Sequence, residues 1–327
     1  MSEKMTMATA LNRALHDAMA ADDTVLMFGE DVGQLGGVFR ITDKLTETFG
    51  EQRCFDTPLA EAGIVGMAAG LAMNGMRPVV EMQFDAFAYP AFEQIVSHVA
   101  KMRNRTAGAI ALPLVIRIPY GGGIGGVEHH CDSSEAYFAH TPGLHVFTPS
   151  GATDAYWLLR AAIDSNDPVV FMEPKRHYWD SEDVDLTQSA PPEGHAVVRR
   201  EGTDATLISY GSGVHTALEA ADLAAGEGRN LQVVDIRSPV PFDDATVCDA
   251  VQSTGRAVVI AEASGFASVA SEIAARVSER CFHFLAAPVR RVTGFDIPYP
   301  PPAYEHFQLP HAERVLDAVD TLQWEDT

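Results

Sequence analysis

The stretch with the most chemical potential is YGGGIGGVEHHCDSSEAYFAHTPG, residues 120–143. A glycine-rich run, Gly121–Gly126, precedes the adjacent pair His129 and His130. Glycine permits backbone conformations that other residues avoid, so the run predicts a close approach between the chain and another group. Because histidine changes its charge near neutral pH, proton transfer to a closely bound ligand is the natural task for one of the pair.

Three other interpretations of this stretch are a nucleotide-binding loop, a metal site and surface histidines without a chemical role. The glycine run is not followed by Lys-Ser or Lys-Thr and lacks an acidic ribose partner, so the nucleotide-binding motif fails. Adjacent histidines point in different directions on a helix or strand, so one metal ion would rarely bind both. Turn histidines at the surface, without a chemical role, stay open as the third interpretation.

A second candidate is Glu61 in FDTPLAEAGIVGMAAGLAMNG, residues 55–75. Thr57 and Pro58 are residue types that suit the start of a helix. The carboxylate either stabilises the helix N-terminus or is a buried acid held for ligand chemistry. Glycines spaced three or four residues apart predict one helix face against which another element packs: Gly63, Gly66 and Gly70.

These residues need a scaffold, and the chain alternates short apolar runs with helix-period segments, a pattern that predicts parallel α/β sheets. A polar, proline-bearing stretch at 181–196 is interpreted as a linker between two α/β domains, residues 1–190 and 191–327. The predicted strands are 24–30, 77–84, 112–118, 144–149, 168–174, 205–211, 231–237, 257–263 and 287–294. The predicted helices are 1–23, 61–73, 89–105, 151–165, 214–226, 243–253, 268–280 and 311–321.

Composition narrows the function classes. The 327 residues include 23 Lys and Arg against 45 Asp and Glu, a formal charge of −22, which argues against nucleic-acid or anionic-membrane binding and favours basic protein partners. No apolar run reaches the length of a membrane span, and the first residues lack the features of a secretion signal. Four cysteines lie far apart with no CxxC pair, so we expect a cytoplasmic protein without disulfides: Cys54, Cys131, Cys248 and Cys281.

Long motifs along nearly the whole chain resemble the beta subunits of thiamine-diphosphate-dependent 2-oxo acid dehydrogenases. In the first half these are FGEDVGQLGGVFRITDKLTETFG, RCFDTPLAEAGIVG, VVEMQFDAFAYPAFEQIVSHVAKMRNRT, IPYGGGIGGVEHHCDSSEAYFAHTPGLHVFTPS and DPVVFMEPKRHYW. In the second half they are DATLISYGSGVHTALEAA, VVDIRSPVPFD and LAAPVRRVTGFDIPYPP. The EPK motif and the form of the HH motif resemble the branched-chain members, which act on 2-oxoisovalerate, more than the pyruvate members.

The resemblance implies a transketolase-like pyrimidine-binding domain followed by a transketolase C-terminal domain. It implies thiamine diphosphate shared with an alpha subunit, which holds the diphosphate and Mg²⁺ through a GDG motif. No GDG occurs in this sequence, so the chain is expected to be inactive alone and to work in an alpha2-beta2 heterotetramer. The remaining implied partners are the dihydrolipoyl acyltransferase core, the 2-oxo acid substrate and a structural K⁺.

The resemblance also assigns roles to single residues. Glu61 matches the glutamate that hydrogen-bonds the aminopyrimidine nitrogen and favours the imino tautomer. Phe87 matches an aromatic that packs on the pyrimidine, and Leu59 and Gln83 match further cofactor-binding residues. His130 matches the histidine that assists acyl transfer to the lipoyl group, and the preceding histidine receives no role.

The sequence departs from the family pattern in one segment. Glu262 is kept, but Ala261 replaces the usual preceding histidine. We therefore expect an altered local loop and an effect on assembly, not on cofactor chemistry. The other replaced positions, usually proline or glycine, are Ser264, Ala267, Ser268 and Ala270.

Two alternatives remain beside the branched-chain interpretation. The first is a pyruvate or acetoin dehydrogenase beta subunit, which differs in the depth of the substrate pocket. The second is a non-catalytic scaffold subunit of the same fold. The presence of both Glu61 and His130 argues against a scaffold.

Overall fold

The computed structural model describes residues 2–187 and 194–322. The chain forms two compact units, and each unit contains two separate stretches of sequence. Unit 1 consists of Met1–Tyr120 and Tyr137–Glu193, and unit 2 of Gly121–Ala136 and Gly194–Thr327. The predicted domain boundary at residue 190 lies outside the described residues.

A six-stranded parallel sheet forms the centre of unit 1, in the order β3-β2-β4-β5-β7-β6. Its main strands are mostly apolar, and they are buried along their whole length, as expected for a sheet covered on both faces. The parallel strands predicted in this half are confirmed, whereas the short β3 was not predicted. The strands of unit 1 are β1 Ser2–Thr6, β2 Val25–Gly29, β3 Cys54–Asp56, β4 Arg77–Glu81, β5 Val115–Tyr120, β6 His145–Phe147, β7 Val169–Pro174 and β8 Ser181–Asp185.

Amphipathic helices cover this sheet. Helix α1 buries Met7, Leu11 and Leu15, one residue per turn, in a core that also contains α6. The helix predicted over 89–105 is wrong: a 3₁₀ segment containing Pro90, a π segment and the short α4 replace it, because proline interrupts the helical hydrogen-bond ladder. The helices are α1 Met7–Ala21, α2 Leu45–Phe49, α3 Glu61–Met73, α4 Met102–Arg105, α5 Glu135–Ala139, which begins in unit 2, and α6 Ala152–Asp164.

A small antiparallel sheet corrects two sequence interpretations. Strand β1 pairs with β8 over five residue pairs, from Ser2 opposite Asp185 to Thr6 opposite Ser181. The first residues are therefore not helical, and the stretch interpreted as a linker begins with a strand. Both strands expose most of their side chains, and only Val184 is fully buried, so neither carries the apolar periodicity that predicts a strand.

Unit 2 is built around a five-stranded sheet in the order β13-β12-β10-β11-β9. All neighbouring strands are parallel except the edge strand β9, which pairs antiparallel with β11. The alternation of strands and helices predicted here is confirmed. The strands are β9 Val197–Arg200, β10 Ala205–Ser209, β11 Leu231–Asp235, β12 Ala257–Ser264 and β13 Arg290–Gly294. The helices are α7 Ser212–Gly226, α8 Asp244–Thr254, α9 Val269–Arg280, α10 Glu305–Gln308 and α11 Ala312–Asp320.

The segment that departs from the family pattern joins β12 to α9. Ala267 has a φ of 52°, a left-handed conformation that glycine adopts without cost and alanine at about 1 kcal/mol. Ser268 caps α9, since its side chain accepts a hydrogen bond from the Ser271 N–H. The segment thus keeps one glycine-type conformation without a glycine. Within residues 2–187 and 194–322, no helix is long and apolar enough to cross a membrane.

A charged network lies inside the sheet of unit 1. Arg117 on β5 is fully buried between Glu81 on β4 and Glu173 on β7. Its Nη1 lies 2.6 Å from Glu81 Oε2, and its Nε and Nη2 lie 2.7 and 2.9 Å from the two oxygens of Glu173. The Tyr178 hydroxyl donates to Glu173 at 2.5 Å. One guanidinium therefore compensates two buried carboxylates.

Candidate active site

The carboxyl ends of three neighbouring strands bring the candidate residues of unit 1 to one sheet edge. Strand β3 pairs with one side of β2, and strand β4 pairs with the other side. The chain connections therefore diverge at β2. Such a divergence leaves a crevice at the carboxyl ends, where ligands bind in open α/β sheets. Glu30 and Asp31 follow β2, Glu61 follows β3, and Gln83 and Phe87 follow β4.

Glu61 is the first residue of α3 and is buried, with 9% of its surface exposed. The helix is capped by Ala60 without a side-chain hydrogen bond. The interpretation of Thr57 as part of the helix start is wrong: its N–H donates to the Gly29 carbonyl at 2.9 Å and so joins the loop to β2. A buried acid at this place fits ligand chemistry better than simple stabilisation of a helix end.

Two further acids, which were not among the sequence-based candidates, lie at the same edge. Burial, and then the nearby carboxylates of Glu61 and Asp31, raise the pKa of Glu30. Asp31 accepts a hydrogen bond from Gln83 Nε2 at 3.0 Å. An acid pair directly after a buried strand was the signal that could have identified them.

This edge also holds buried polar atoms that a ligand could satisfy. Glu30 Oε1 and Thr57 Oγ1 are buried and have no hydrogen-bond partner among the described residues. An unpaired buried polar atom costs free energy, about 1–3 kcal/mol, so such atoms point to a missing polar partner. A polar ligand at this edge would supply the missing partners.

The apolar candidates flank the same edge. Phe87 is half-buried and packs edge-on against Phe84, with ring centroids 5.7 Å apart. Leu59 is 80% exposed, so its side chain is available to a ligand or another chain.

The glycine face predicted on α3 meets little within this chain. A Cβ at Gly70 would have no neighbour within 4 Å, and Gly63 and Gly66 are exposed. The predicted packing of another element on this face is therefore wrong for the isolated chain.

The glycine run of residues 121–126, here called the glycine loop, belongs to unit 2. Side chains of that unit make the close approach: the Gly122 N–H donates to Glu262, and a Cβ at Gly122 would lie 1.8 Å from the Tyr299 hydroxyl oxygen. The N–H groups of Gly123 and Gly125 donate to Glu305. The glycines thus admit protein side chains, where we had expected them to admit the ligand of His130.

His130 ends a short 3₁₀ turn, Glu128–His130, directly after the glycine loop. Its N–H donates to the Val127 carbonyl at 2.9 Å, and its side chain is half-buried. The ring of His129 lies 4.5 Å from that of His130, centroid to centroid. His130 belongs to unit 2, whereas Glu61 belongs to unit 1. The contacts described for one residue therefore do not bear on the role of the other.

A buried acid follows the histidines in the same stretch of unit 2. Glu135 is 1% exposed, and its Oε1 accepts a hydrogen bond from the Tyr210 hydroxyl at 2.7 Å. Burial, to which the Glu262 carboxylate adds, raises the pKa of Glu135 to about 7, against the opposing effect of Tyr210. This acid was not among the sequence-based candidates, because a single glutamate at a helix start carries no signal of burial.

The substitution Glu135→Gln is expected to remove a pH dependence of stability. A carboxyl whose pKa rises from 4.5 in the unfolded chain to about 7 in the folded one stabilises the fold fully below pH 4.5. That contribution is lost as the pH rises to about 7, by on the order of 3 kcal/mol. Urea unfolding between pH 5 and 8 measures it: the variant should gain stability relative to the natural chain as pH rises.

The exposed Glu279→Gln is the matched control, and its stability should follow the natural chain at each pH. Parallel pH curves for Glu135→Gln and the natural chain would contradict the raised pKa of Glu135.

Comparisons with known protein families cover both units. Residues 3–179 match the model of the transketolase pyrimidine-binding domain, and residues 194–315 match that of the transketolase C-terminal domain. A solved split-gene transketolase, described as an inactive beta4 tetramer, superimposes with a TM-score of 0.79 at 24% identity, covering 97% of this chain and 98% of that one. That likeness supports the fold.

Curated relatives are much more similar in sequence. The pyruvate dehydrogenase E1 component subunit beta of Leifsonia xyli subsp. xyli is 54% identical, over 97% of this chain and 94% of the relative. The 3-methyl-2-oxobutanoate dehydrogenase subunit beta of Mycobacterium tuberculosis is 52% identical, over 98% and 92%. The 2-oxoisovalerate dehydrogenase subunit beta of Bacillus subtilis is 43% identical, over 97% and 98%.

Proposed function

The chain belongs to the family of transketolase-like beta subunits of 2-oxo acid dehydrogenases, and we propose that it is the beta subunit of a branched-chain enzyme. The reaction is the oxidative decarboxylation of a branched 2-oxo acid, followed by reductive acylation of a lipoyl group. The observation that carries the site is the buried Glu61 at the diverging strand edge, with unsatisfied polar atoms beside it.

Thiamine diphosphate, the cofactor of this family, supplies a carbon nucleophile and an electron sink when bound. We assign Glu61 to the aminopyrimidine, where its carboxyl shares a proton with a ring nitrogen; its buried place at the start of α3 supports this assignment, because a buried acid at a sheet edge suits ligand chemistry. Phe87 and Leu59 supply apolar contact to the ring, and Gln83 a hydrogen-bonding amide held by Asp31.

We assign His130 to the second half of the reaction, as the group that moves a proton during acyl transfer to the lipoyl arm. Its half-buried place beside the glycine loop supports a role at a surface that a swinging arm can reach.

An alpha subunit is the partner that the family implies, and we propose an alpha2-beta2 tetramer that is active only when assembled. Helix α3 supports this: its only charged residue is Glu61, yet Met67 and Met73 beside the glycine face are 39% and 49% exposed. A helix that is apolar on all sides is normally covered, so a partner chain should cover this one. Mg²⁺ would be held by the alpha subunit, and a K⁺ by backbone carbonyls.

The acyltransferase core is the second proposed partner. The formal charge of −22 favours a basic docking domain on that core, through long-range attraction that salt weakens. We also retain the domain division at residue 190 and a cytoplasmic location as proposals; the four free thiols suit a reducing compartment.

The branched-chain substrate rests on the EPK and HH motifs quoted above and on two of the relatives. Pyruvate is the second candidate, because a pyruvate dehydrogenase subunit is about as similar. The two substrates differ by two carbons, about 0.8 kcal/mol of burial each, so a small change in pocket depth decides between them.

The test is a pull-down of the tagged chain from its native lysate at low and moderate salt, followed by turnover assays of the eluate. We expect a GDG-containing partner, salt-weakened capture of an acyltransferase, and faster turnover of 2-oxoisovalerate than of pyruvate. Faster turnover of pyruvate would replace the branched-chain proposal by the second candidate. A lone chain without turnover would contradict both.

A further inference from the structure

The glycine loop is bound by a carboxylate of its own unit. The Gly123 N–H donates to Glu305 Oε2 at 3.0 Å, and the Gly125 N–H lies 3.3 Å from each Glu305 oxygen. Gly121, Gly123 and Gly125 have φ values of 82°, 81° and 67°. Positive φ values at alternate residues turn successive N–H groups toward one anion, the geometry by which many loops bind phosphate. Here the anion is the protein's own glutamate.

Tyr299 completes this arrangement. Its hydroxyl donates to Glu305 Oε2 at 2.8 Å and lies 3.3 Å from the Gly123 nitrogen. Burial and the hydrogen bond to Glu305 raise the pKa of Tyr299, so the hydroxyl keeps its proton. Because a Cβ at Gly122 would lie 1.8 Å from this hydroxyl oxygen, only glycine leaves room for it. We call Tyr299 and Glu305 the loop clamp.

The glycine loop contacts the His130 segment at both of its ends. A Cβ at Gly126 would lie 3.4 Å from the Cβ of His130 and 2.9 Å from the Cys131 sulfur, so the histidine packs directly against the loop. The Gly121 N–H donates to the Asp132 carbonyl at 2.8 Å. A displacement at Gly123 or Gly125 is therefore passed to the histidine backbone.

From this geometry we propose that Glu305 and Tyr299 are positioning residues that fix His130 for acyl transfer to the lipoyl group. The proposal rests on the function proposed above and adds two residues to it, both of which act through the glycine loop. A misplacement of about 1 Å can lower a rate by about 10²-fold, so a loosened loop should slow the step that needs His130.

The test uses the assembled enzyme with Glu305→Ala, Glu305→Gln and Tyr299→Phe. Acylation of a lipoyl domain should fall about 10–100-fold in Glu305→Ala and less in Glu305→Gln, which keeps one acceptor oxygen. Decarboxylation can be measured with a soluble electron acceptor dye, which bypasses the lipoyl group. This rate should change by less than about twofold, since loss of the clamp would slow it only by disturbing the whole fold.

Gly122→Ala is a further variant that disturbs the clamp from the loop side, because its Cβ displaces Tyr299 while both clamp residues are kept. Glu313→Gln is the matched control: this acid lies on α11 of the same unit, is exposed and pairs with His311. The control should leave both rates unchanged, and Gly122→Ala should reproduce the selective loss of lipoyl acylation.

A readout independent of activity is amide hydrogen exchange over residues 120–131, which should be faster in Glu305→Ala than in the natural chain. Equal losses of both rates, or no loss of either, would overturn the positioning role. Unchanged exchange would overturn the clamp itself. If the natural enzyme turned over no 2-oxo acid, the proposed function would fail, and the exchange experiment would still decide whether the clamp holds the loop.

Discussion

Glu61→Gln in the assembled enzyme is expected to lower the turnover of every 2-oxo acid by about 10²–10⁴-fold, the usual contribution of a group that moves a proton at a reacting centre. The amide keeps the shape of the side chain but cannot hold and release a proton. Glu61→Ala should lose as much or more. Because the defect lies before the decarboxylation step, dye-linked and lipoyl-linked rates should fall together, unlike those of the loop-clamp variants.

The matched control is Glu47→Gln, an exposed acid of α2 in the same unit. Its rates should equal those of the natural enzyme. Thiamine diphosphate binding, measured by calorimetry, should remain detectable in Glu61→Gln, which separates a lost proton transfer from a lost site. Activity of Glu61→Gln within about twofold of natural would remove the assignment of Glu61.

Arg117→Met is expected to cost the largest stability of any single change discussed, about 3–5 kcal/mol. Arg117 is fully buried and compensates two carboxylates, so its removal leaves Glu81 and Glu173 uncompensated inside the sheet. Methionine fills similar space, so the loss should come from charge more than from volume. Chemical denaturation of the purified chain measures the change in the free energy of unfolding.

A triple variant, Arg117→Met with Glu81→Gln and Glu173→Gln, separates charge from packing. It removes both buried negative charges and keeps the side-chain shapes, so it should recover much of the stability that the single variant loses. A triple variant no more stable than Arg117→Met would show that packing at Arg117, not charge compensation, is responsible.

The sequence predicted the elements whose apolar periodicity is strong. The helix at 61–73 was predicted with the bounds of α3, and the main buried strands within a few residues, because continuous apolar runs between turn residues allow few alternatives. The edge elements were missed for the opposite reason. Strands β1 and β8 expose most of their side chains, and each depends on a partner about 180 residues away.

The candidate site shows the same contrast. The motifs that contain Glu61 and His130 imply a role for each residue, whereas the motif LAAPVRRVTGFDIPYPP, which contains Tyr299, implies none, and Glu305 follows it in a proline-rich segment without periodicity. The hydrogen bond from Gly123 to Glu305 joins residues 182 positions apart, and no local pattern announces such a contact. The glycine run predicted that something approaches the backbone, but it could not tell a substrate from a glutamate of the same chain.

The membership of residues 121–136 in unit 2 has a consequence for recombination between related genes. A crossover near residue 190 would join the glycine loop of one parent to the Tyr299 and Glu305 of the other. Substitutions in the two segments must therefore be inherited as a pair, although the second stretch of unit 1 and a large part of unit 2 separate them in the gene. Chimaeras that carry residues 121–136 together with the C-terminal half keep this pairing intact.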